Sequence, residues 1–277
     1  MRNKLVVIAS LIATAAHAQD ARDPVRWRGT LAAGKSIEVI GILGGIRAVA
    51  AEGREVVVEA RQRVRDPEDS VTFEVVPHED GVTICAKYPL RRIRDDDDRG
   101  RRGRRDGWEG GPEVCEPGEV GDVNLHRNST RVDWTVRVPA GVRLVARTVS
   151  GDVDALGLRG DVDASTVSGS IDVSTSGVAE AATVSGDIRV TMGTRPTREL
   201  DFRSVSGTID LTVPSNADAA VRASSMTGTI SADFPLERRG ERSFLGGGRY
   251  EGTLGRGGPT LYAQTLSGRI RFRTAAR

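Results

Sequence analysis

Six near-copies of one hexapeptide occupy the second half of the chain. Each reads Ser or Thr, an apolar residue, Ser or Thr, Gly, any residue, then Ile or Val. The first three are Thr148-Val149-Ser150-Gly151-Asp152-Val153, Thr166-Val167-Ser168-Gly169-Ser170-Ile171 and Thr183-Val184-Ser185-Gly186-Asp187-Ile188. The others are Ser204-Val205-Ser206-Gly207-Thr208-Ile209, Ser225-Met226-Thr227-Gly228-Thr229-Ile230 and Thr265-Leu266-Ser267-Gly268-Arg269-Ile270. Their glycines lie 18, 17, 21, 21 and 40 residues apart. A degenerate copy, Leu158-Arg159-Gly160-Asp161-Val162, falls between the first two.

Alternation within each copy reads as a half-buried strand. On that reading Val149, Val167, Val184, Val205, Met226 and Leu266 point inward, as do Val153, Ile171, Ile188, Ile209, Ile230 and Ile270. The glycine between them marks a narrow core, a bulge or a corner. A strand recurring every 17–21 residues fits one coil of a parallel β-solenoid, with equivalent residues stacked about 4.8 Å apart. The long last interval fits one more coil plus an excursion over 235–259, whose Gly246-Gly247-Gly248 and Gly257-Gly258-Pro259 are turn signals. An antiparallel sandwich is the competing architecture. Upstream, Glu55–Ala60, Val71–Val76, Gly81–Cys85 and Val132–Val138 read as strands, and Gly44-Gly45-Ile46 as an early copy. The expected class is all-β, a parallel β-solenoid-like repeat domain with a strand-rich N-terminal portion. No helix is expected after the N-terminus.

The N-terminus reads as a signal peptide over 1–18: Arg2 and Lys4, an apolar run Leu5–Ala16, then Ala16-His17-Ala18 as a cleavage site. Without it the chain carries 38 basic and 38 acidic residues, so no overall charge draws it to nucleic acid or anionic membrane. No later apolar run approaches the ~18 residues of a spanning helix. Export favours a disulfide between the two cysteines, Cys85 and Cys115. The bridge would stabilise by roughly 3–4 kcal/mol on the loop-entropy view; two unpaired thiols are the alternative.

The tandem Ser-Val-Ser-Gly-Asp-Ile motif, the preceding Val138-Pro139-Ala140-Gly141 and the closing Gly-Gly-Pro with Thr265-Leu266-Ser267-Gly268-Arg269-Ile270 carry a resemblance. They resemble the bacterial putative-adhesin domain of unknown function, closely over 132–277 and more loosely over 36–90. That resemblance implies a solenoid-like all-β fold and an envelope setting, and it carries over no active site. The expected division is 1–18 signal peptide, 19–131 N-terminal β-rich region and 132–277 repeats. Segment 91–113, rich in Arg and Asp, departs from the family pattern and reads as a solvated, disordered insertion.

Other features carry ordinary readings. Arg159-Gly160-Asp161 is an integrin-type tripeptide but reads as a repeat variant within a strand. Asp152, Asp154, Asp161, Asp163, Asp172, Asp187 and Asp210 could bind calcium or act as a hydrolytic pair. They lack a calcium register, and their even repetition suits an outer solubilising face. Asn128-Ser129-Thr130 matches a glycosylation sequon without further support. No catalytic, cofactor or metal residue is expected. The expected role is an exported, adhesin-like, non-enzymatic protein, with an unidentified envelope component, polysaccharide or protein as partner, no nucleic acid and no membrane span. A carbohydrate-active enzyme on a solenoid and an envelope-stress accessory protein are the alternatives.

Overall fold

The computed structural model describes residues 25–89, 115–118, 128–240 and 246–275; the expected signal peptide and the insertion 91–113 lie outside them. In chain order the first strands are β1 (Val25–Thr30), β2 (Ser36–Ile40), β3 (Ile46–Ala50), β4 (Glu55–Arg63), β5 (Thr72–His78), β6 (Gly81–Lys87) and β7 (Arg131–Val138). Then come β8 (Arg143–Ser150), β9 (Val153–Leu158), β10 (Val162–Ser168), β11 (Ile171–Thr175), β12 (Ala179–Ser185), β13 (Ile188–Met192) and β14 (Leu200–Ser206). The last are β15 (Ile209–Val213), β16 (Ala219–Thr227), β17 (Ile230–Ala232), β18 (Leu236–Arg239), β19 (Gly248–Leu254), β20 (Thr260–Ser267) and β21 (Ile270–Thr274). Among the described residues the single helical element is a 3-10 turn at Pro67–Asp69.

Two sheets result. One runs β1-β4-β7-β3-β9-β11-β13-β15-β21-β17, the other β18-β19-β16-β20-β14-β12-β10-β8-β2-β6-β5. Each coil puts one strand in each sheet, and successive coils pair in parallel: Val162 lies beside Leu144 and Ala179, and Ile171 beside Val153 and Ile188. The inward side chains merge into one core from Ile37 to Phe272. This is a flattened parallel solenoid. The Gly44 copy takes its place in it as the coil β2–β3, packed on β8–β9.

Spatial order departs from chain order at both ends. Coil β2–β3 sits between β6–β7 and β8–β9, and the final coil β20–β21 sits between β14–β15 and β16–β17. The last coil in the chain is thus inserted between two earlier ones. The excursion before it forms the hairpin β18–β19, which pairs antiparallel with β16. Antiparallel β1, β4 and β5 cover the opposite end, so few open parallel edges remain to template another chain.

The in–out assignment of the motif needs correction. Each hexapeptide is a corner between the two sheets, not one strand: β8 ends at Ser150 and β9 begins at Val153, and so on through the repeats. The sixth position is inside as expected, with Val153, Ile171, Ile188, Ile209 and Ile270 buried and Ile230 partly so. The second position is outside. Val167, Val184, Val205, Met226 and Leu266 are exposed by 44–55% and Val149 is half-buried. The first position is inside instead: Thr148, Thr166, Thr183, Ser204, Ser225 and Thr265 are 2–6% exposed. Five steps separate positions one and six, so unbroken alternation cannot bury both. The glycine corner supplies the missing phase shift, with φ 151° at Gly186, a conformation natural to Gly alone.

Stacking explains the glycine, the buried hydroxyl and two of the aspartates. A Cβ on Gly186 would lie 2.0 Å from the carbonyl oxygen of Gly169, and one on Gly207 equally close to that of Gly186. Strand ladders end at the corner, which leaves these carbonyls needing donors. The buried hydroxyls supply them: Thr166 to Gly151 at 3.0 Å, Thr183 to Gly169 at 3.1 Å, Ser204 to Gly186 at 3.3 Å. At the fifth position, Asp152 accepts from the N–H of Ser170 at 2.8 Å, and Asp187 from that of Thr208 at 2.7 Å.

Candidate binding surface

Because the sheets pair in register, the second motif position forms a row across neighbouring strands. In space the row runs Val149, Val167, Val184, Val205, Leu266, Met226, carried by β8, β10, β12, β14, β20 and β16. Its last five residues are exposed, and they are five of the seven large exposed hydrophobics among the described residues. Isolated surface apolars need no explanation; a contiguous row of them does. Beside it, on the corner, lie the exposed hydroxyls of Ser168, Ser185, Ser206 and Ser267.

At the β16 end the row enters an open cleft of about 700 Å³. Val205, Leu266 and Met226 line it together with Arg203, Arg239 and Arg249, and among the described residues no acidic side chain does. Arg203 is held by Asp201, and Arg239 by Glu251 at 3.0 Å and Glu237 at 3.4 Å. Arg249 makes no ion pair among the described residues. Its side chain is exposed.

A second, smaller depression on the same sheet places Tyr262 among Glu180, Glu199 and Asp201. Glu180 is paired with Arg198 at 2.6 Å and Asp201 with Arg203 at 2.7 Å. Arg222 lies over the Tyr262 ring, 5.9 Å from its centroid.

The residues singled out from sequence are dispersed. Cys85 and Cys115 form a disulfide, with Cα atoms 5.8 Å apart. Nearby, buried Glu38 accepts from Thr83 at 2.7 Å, Arg147 at 3.0 Å and the N–H of Gly118 at 3.1 Å, which ties the segment after Cys115 to the sheet. The aspartates do not form one ladder. Asp163 pairs with Arg143 and Arg147 on one sheet, and Asp172 with Arg189 on the other. Asp152 and Asp187 serve the corner. Asp154 is the perturbed one: burial, then the carboxylates of Asp152 and Asp172, raise its pKa, while Arg47 opposes them. Among the described residues no group of three or more His, Cys, Asp or Glu could hold a metal ion.

Arg159-Gly160-Asp161 lies at the bend between β9 and β10, not within a strand as expected. Both charged side chains are engaged, Arg159 with the carbonyl of Ala51 at 3.2 Å and Asp161 with the N–H of Val178 at 3.1 Å. Asn128 is buried and bonded to the Asp69 carbonyl and the Thr130 N–H, a structural role. No described helix is long and apolar enough to cross a membrane.

The family model Toastrack DUF4097 matches residues 119–271. Similar solved structures include one described as a putative cell adhesion protein from Clostridium sporogenes. It is 12% identical, with 91% of this chain and 100% of that chain covered and a TM-score of 0.43. Another, described as a putative adhesin from Bacteroides fragilis, is 12% identical, with coverages of 92% and 98% and a TM-score of 0.35. No functionally curated protein matches this sequence.

Proposed function

This chain belongs to the Toastrack DUF4097 family, and on that premise we propose that it is an exported, adhesin-like, non-enzymatic envelope protein that binds or scaffolds through its repetitive β surface. The observation that carries the reading is the exposed apolar row from Val167 to Met226. A solvent-facing position that stays apolar from coil to coil works against solubility unless something covers it. The signal-peptide features at 1–18 and the Cys85–Cys115 bridge support export.

The test is co-sedimentation of the mature chain with envelope fractions of the host, alongside a Val205→Ser/Leu266→Ser/Met226→Ser variant of unchanged circular dichroism. The variant should lose most of the sedimenting protein. Equal sedimentation of both would remove the row from the function. The enzyme alternative draws on one feature, Tyr262 set among Glu180, Glu199 and Asp201. Release of reducing ends from envelope polysaccharide, abolished by Glu199→Gln, would favour it.

A further inference from the structure

We propose that the apolar row and the arginine-walled cleft at its end dock an acidic, amphipathic α-helix of a partner protein. The inference rests on the binding reading above and names the kind of partner. Its first support is spacing. Val167, Val184, Val205, Leu266 and Met226 sit on five adjacent strands, so the row spans four steps, about 19 Å at the ~4.8 Å separation of paired strands. A helix rising 1.5 Å per residue carries an apolar stripe at i, i+4, i+7, i+11 and i+14, about 21 Å end to end. Each apolar side chain of such a helix meets one coil, and the mismatch over the whole row is about 2 Å. An extended peptide repeats its same-face side chains about every 6.7 Å and falls out of step by about 2 Å at each coil. The row also offers it side chains and no free backbone edge, so strand addition has nothing to pair with.

The second support is charge. On the sheet side the row is flanked in its last coils by Arg203, Arg249 and Arg239, with no carboxylate lining the cleft among the described residues; Arg203 and Arg239 have carboxylate partners outside the cleft lining, which leaves Arg249 as the cation without an ion pair among the described residues. On the corner side it is flanked by neutral serines. Beyond those serines the corner carries exposed Asp187 and Arg269, one of each sign, so the cleft flank is the one that sorts a docked helix by charge. Acidic residues beside its apolar stripe, near the end that reaches Met226, would meet the arginines, and basic ones would be repelled. Arg249, with no ion pair among the described residues, is the specificity-determining contact.

The test uses the mature chain and three blocked, fluorescein-labelled 18-residue peptides of Leu, Ala and charged residues. One carries Leu in the helical stripe with Glu along one flank, one replaces each Glu by Lys, and one keeps the acidic composition with Leu scattered. Anisotropy should report binding of the acidic stripe at least tenfold tighter than either control, weakened by salt. Val205→Ser/Leu266→Ser/Met226→Ser should remove it, and Arg249→Glu should reverse the preference between the Glu and Lys peptides. Equal binding of all three peptides, or binding indifferent to these substitutions, would overturn the proposal. So would a concentration-dependent mass of the free protein lost in the triple variant, which assigns the row to a second copy, or row-dependent binding to phosphatidylglycerol vesicles. If the peptides fail while the triple variant still loses envelope sedimentation, the partner class is wrong and the binding function stands.

Discussion

Exchanging the chemistry of two adjacent residues, Thr183 and Val184, reads out the phase of the corner directly. Thr183 is buried, and its hydroxyl donates to the Gly169 carbonyl at 3.1 Å; Val184 is 46% exposed. Thr183→Val keeps the shape, so it opens no cavity. It strips a donor from a carbonyl at the end of a strand ladder, at about 1–3 kcal/mol. The methyl that replaces the hydroxyl returns up to about 1 kcal/mol of apolar burial. The net loss is about 1 kcal/mol, and for a chain of this size that lowers Tm by about 2–4 °C. Val184→Thr changes a solvent-facing side chain and should stay within about 0.5 kcal/mol. Thermal and urea unfolding followed by far-UV circular dichroism would compare them, with an unchanged m-value confirming that the denatured ensemble is not the cause. If the second motif position were inside, the order would invert: Val184→Thr would bury a hydroxyl and Thr183→Val would be free. That inverted ranking refutes the corner geometry.

Three further outcomes follow from the same geometry. Gly186→Ala drives a Cβ to 2.0 Å from the Gly169 oxygen at φ 151° and should cost more than about 3 kcal/mol; Gly34→Ala, at φ 84° with open space around it, should cost only about 1 kcal/mol, and equal losses in urea titrations would count against stacking. Asp154 has its folded pKa raised from 3.8, so its charged form penalises the fold above that raised value, and the penalty lifts as pH falls through it toward 3.8. Asp154→Asn should therefore raise stability slightly at pH 7, by a few tenths of a kcal/mol as expected of an exposed group, with the gain shrinking as pH falls and vanishing below pH 3.8; a gain independent of pH would contradict this origin. Ending the chain at Pro259 deletes an internal coil, not a frayed tip, and should abolish cooperative unfolding; a shortened chain with the full-length Tm would contradict the insertion of β20–β21.

The hexapeptide makes the stacked all-β architecture and the buried sixth position legible, because a fixed interval with Ile or Val at one place has few other physical uses. The inversion at the second position follows from treating the motif alone. Upstream, Leu144-x-Ala146-x-Thr148 and Leu200-x-Phe202-x-Ser204 alternate toward the first position, and that pattern already puts Thr148 and Ser204 inside. Reconciling it with the buried Val153 and Ile209 requires a phase break, and glycine is the residue that permits one. The insertion of the last coil is different. Each repeat presents nearly the same edge to its neighbours, so the hexapeptide does not say whether β14 pairs with β16 or with β20. That choice depends on the hairpin β18–β19 occupying the far edge of β16. The arginine cleft was equally hidden, since it brings together residues 203, 239 and 249 from three strands or strand ends.

Within the motif, packing accounts for the first, fourth and sixth letters in every copy and for the fifth in two. The first position caps a carbonyl, the fourth must lack a Cβ, the fifth bonds the next coil in Asp152 and Asp187, and the sixth fills the core. The second position faces water and makes none of these contacts, yet it is apolar in all six copies. Strand propensity accounts for Val167, Val184 and Val205, since a β-branched side chain suits a strand and neighbouring valines gain about 0.2–1 kcal/mol per pair from lateral contact. It does not account for Leu266 and Met226. Both are unbranched at Cβ, both are longer than the valine they replace, and Thr would serve propensity at either place without exposing hydrocarbon. These two stand where the row meets Arg203, Arg239 and Arg249. Longer, adaptable side chains in the last two coils suit a surface that must close over a partner. The departure from valine and Arg249, which has no ion pair among the described residues, thus fall at the same end of the solenoid, where a binding surface would need both.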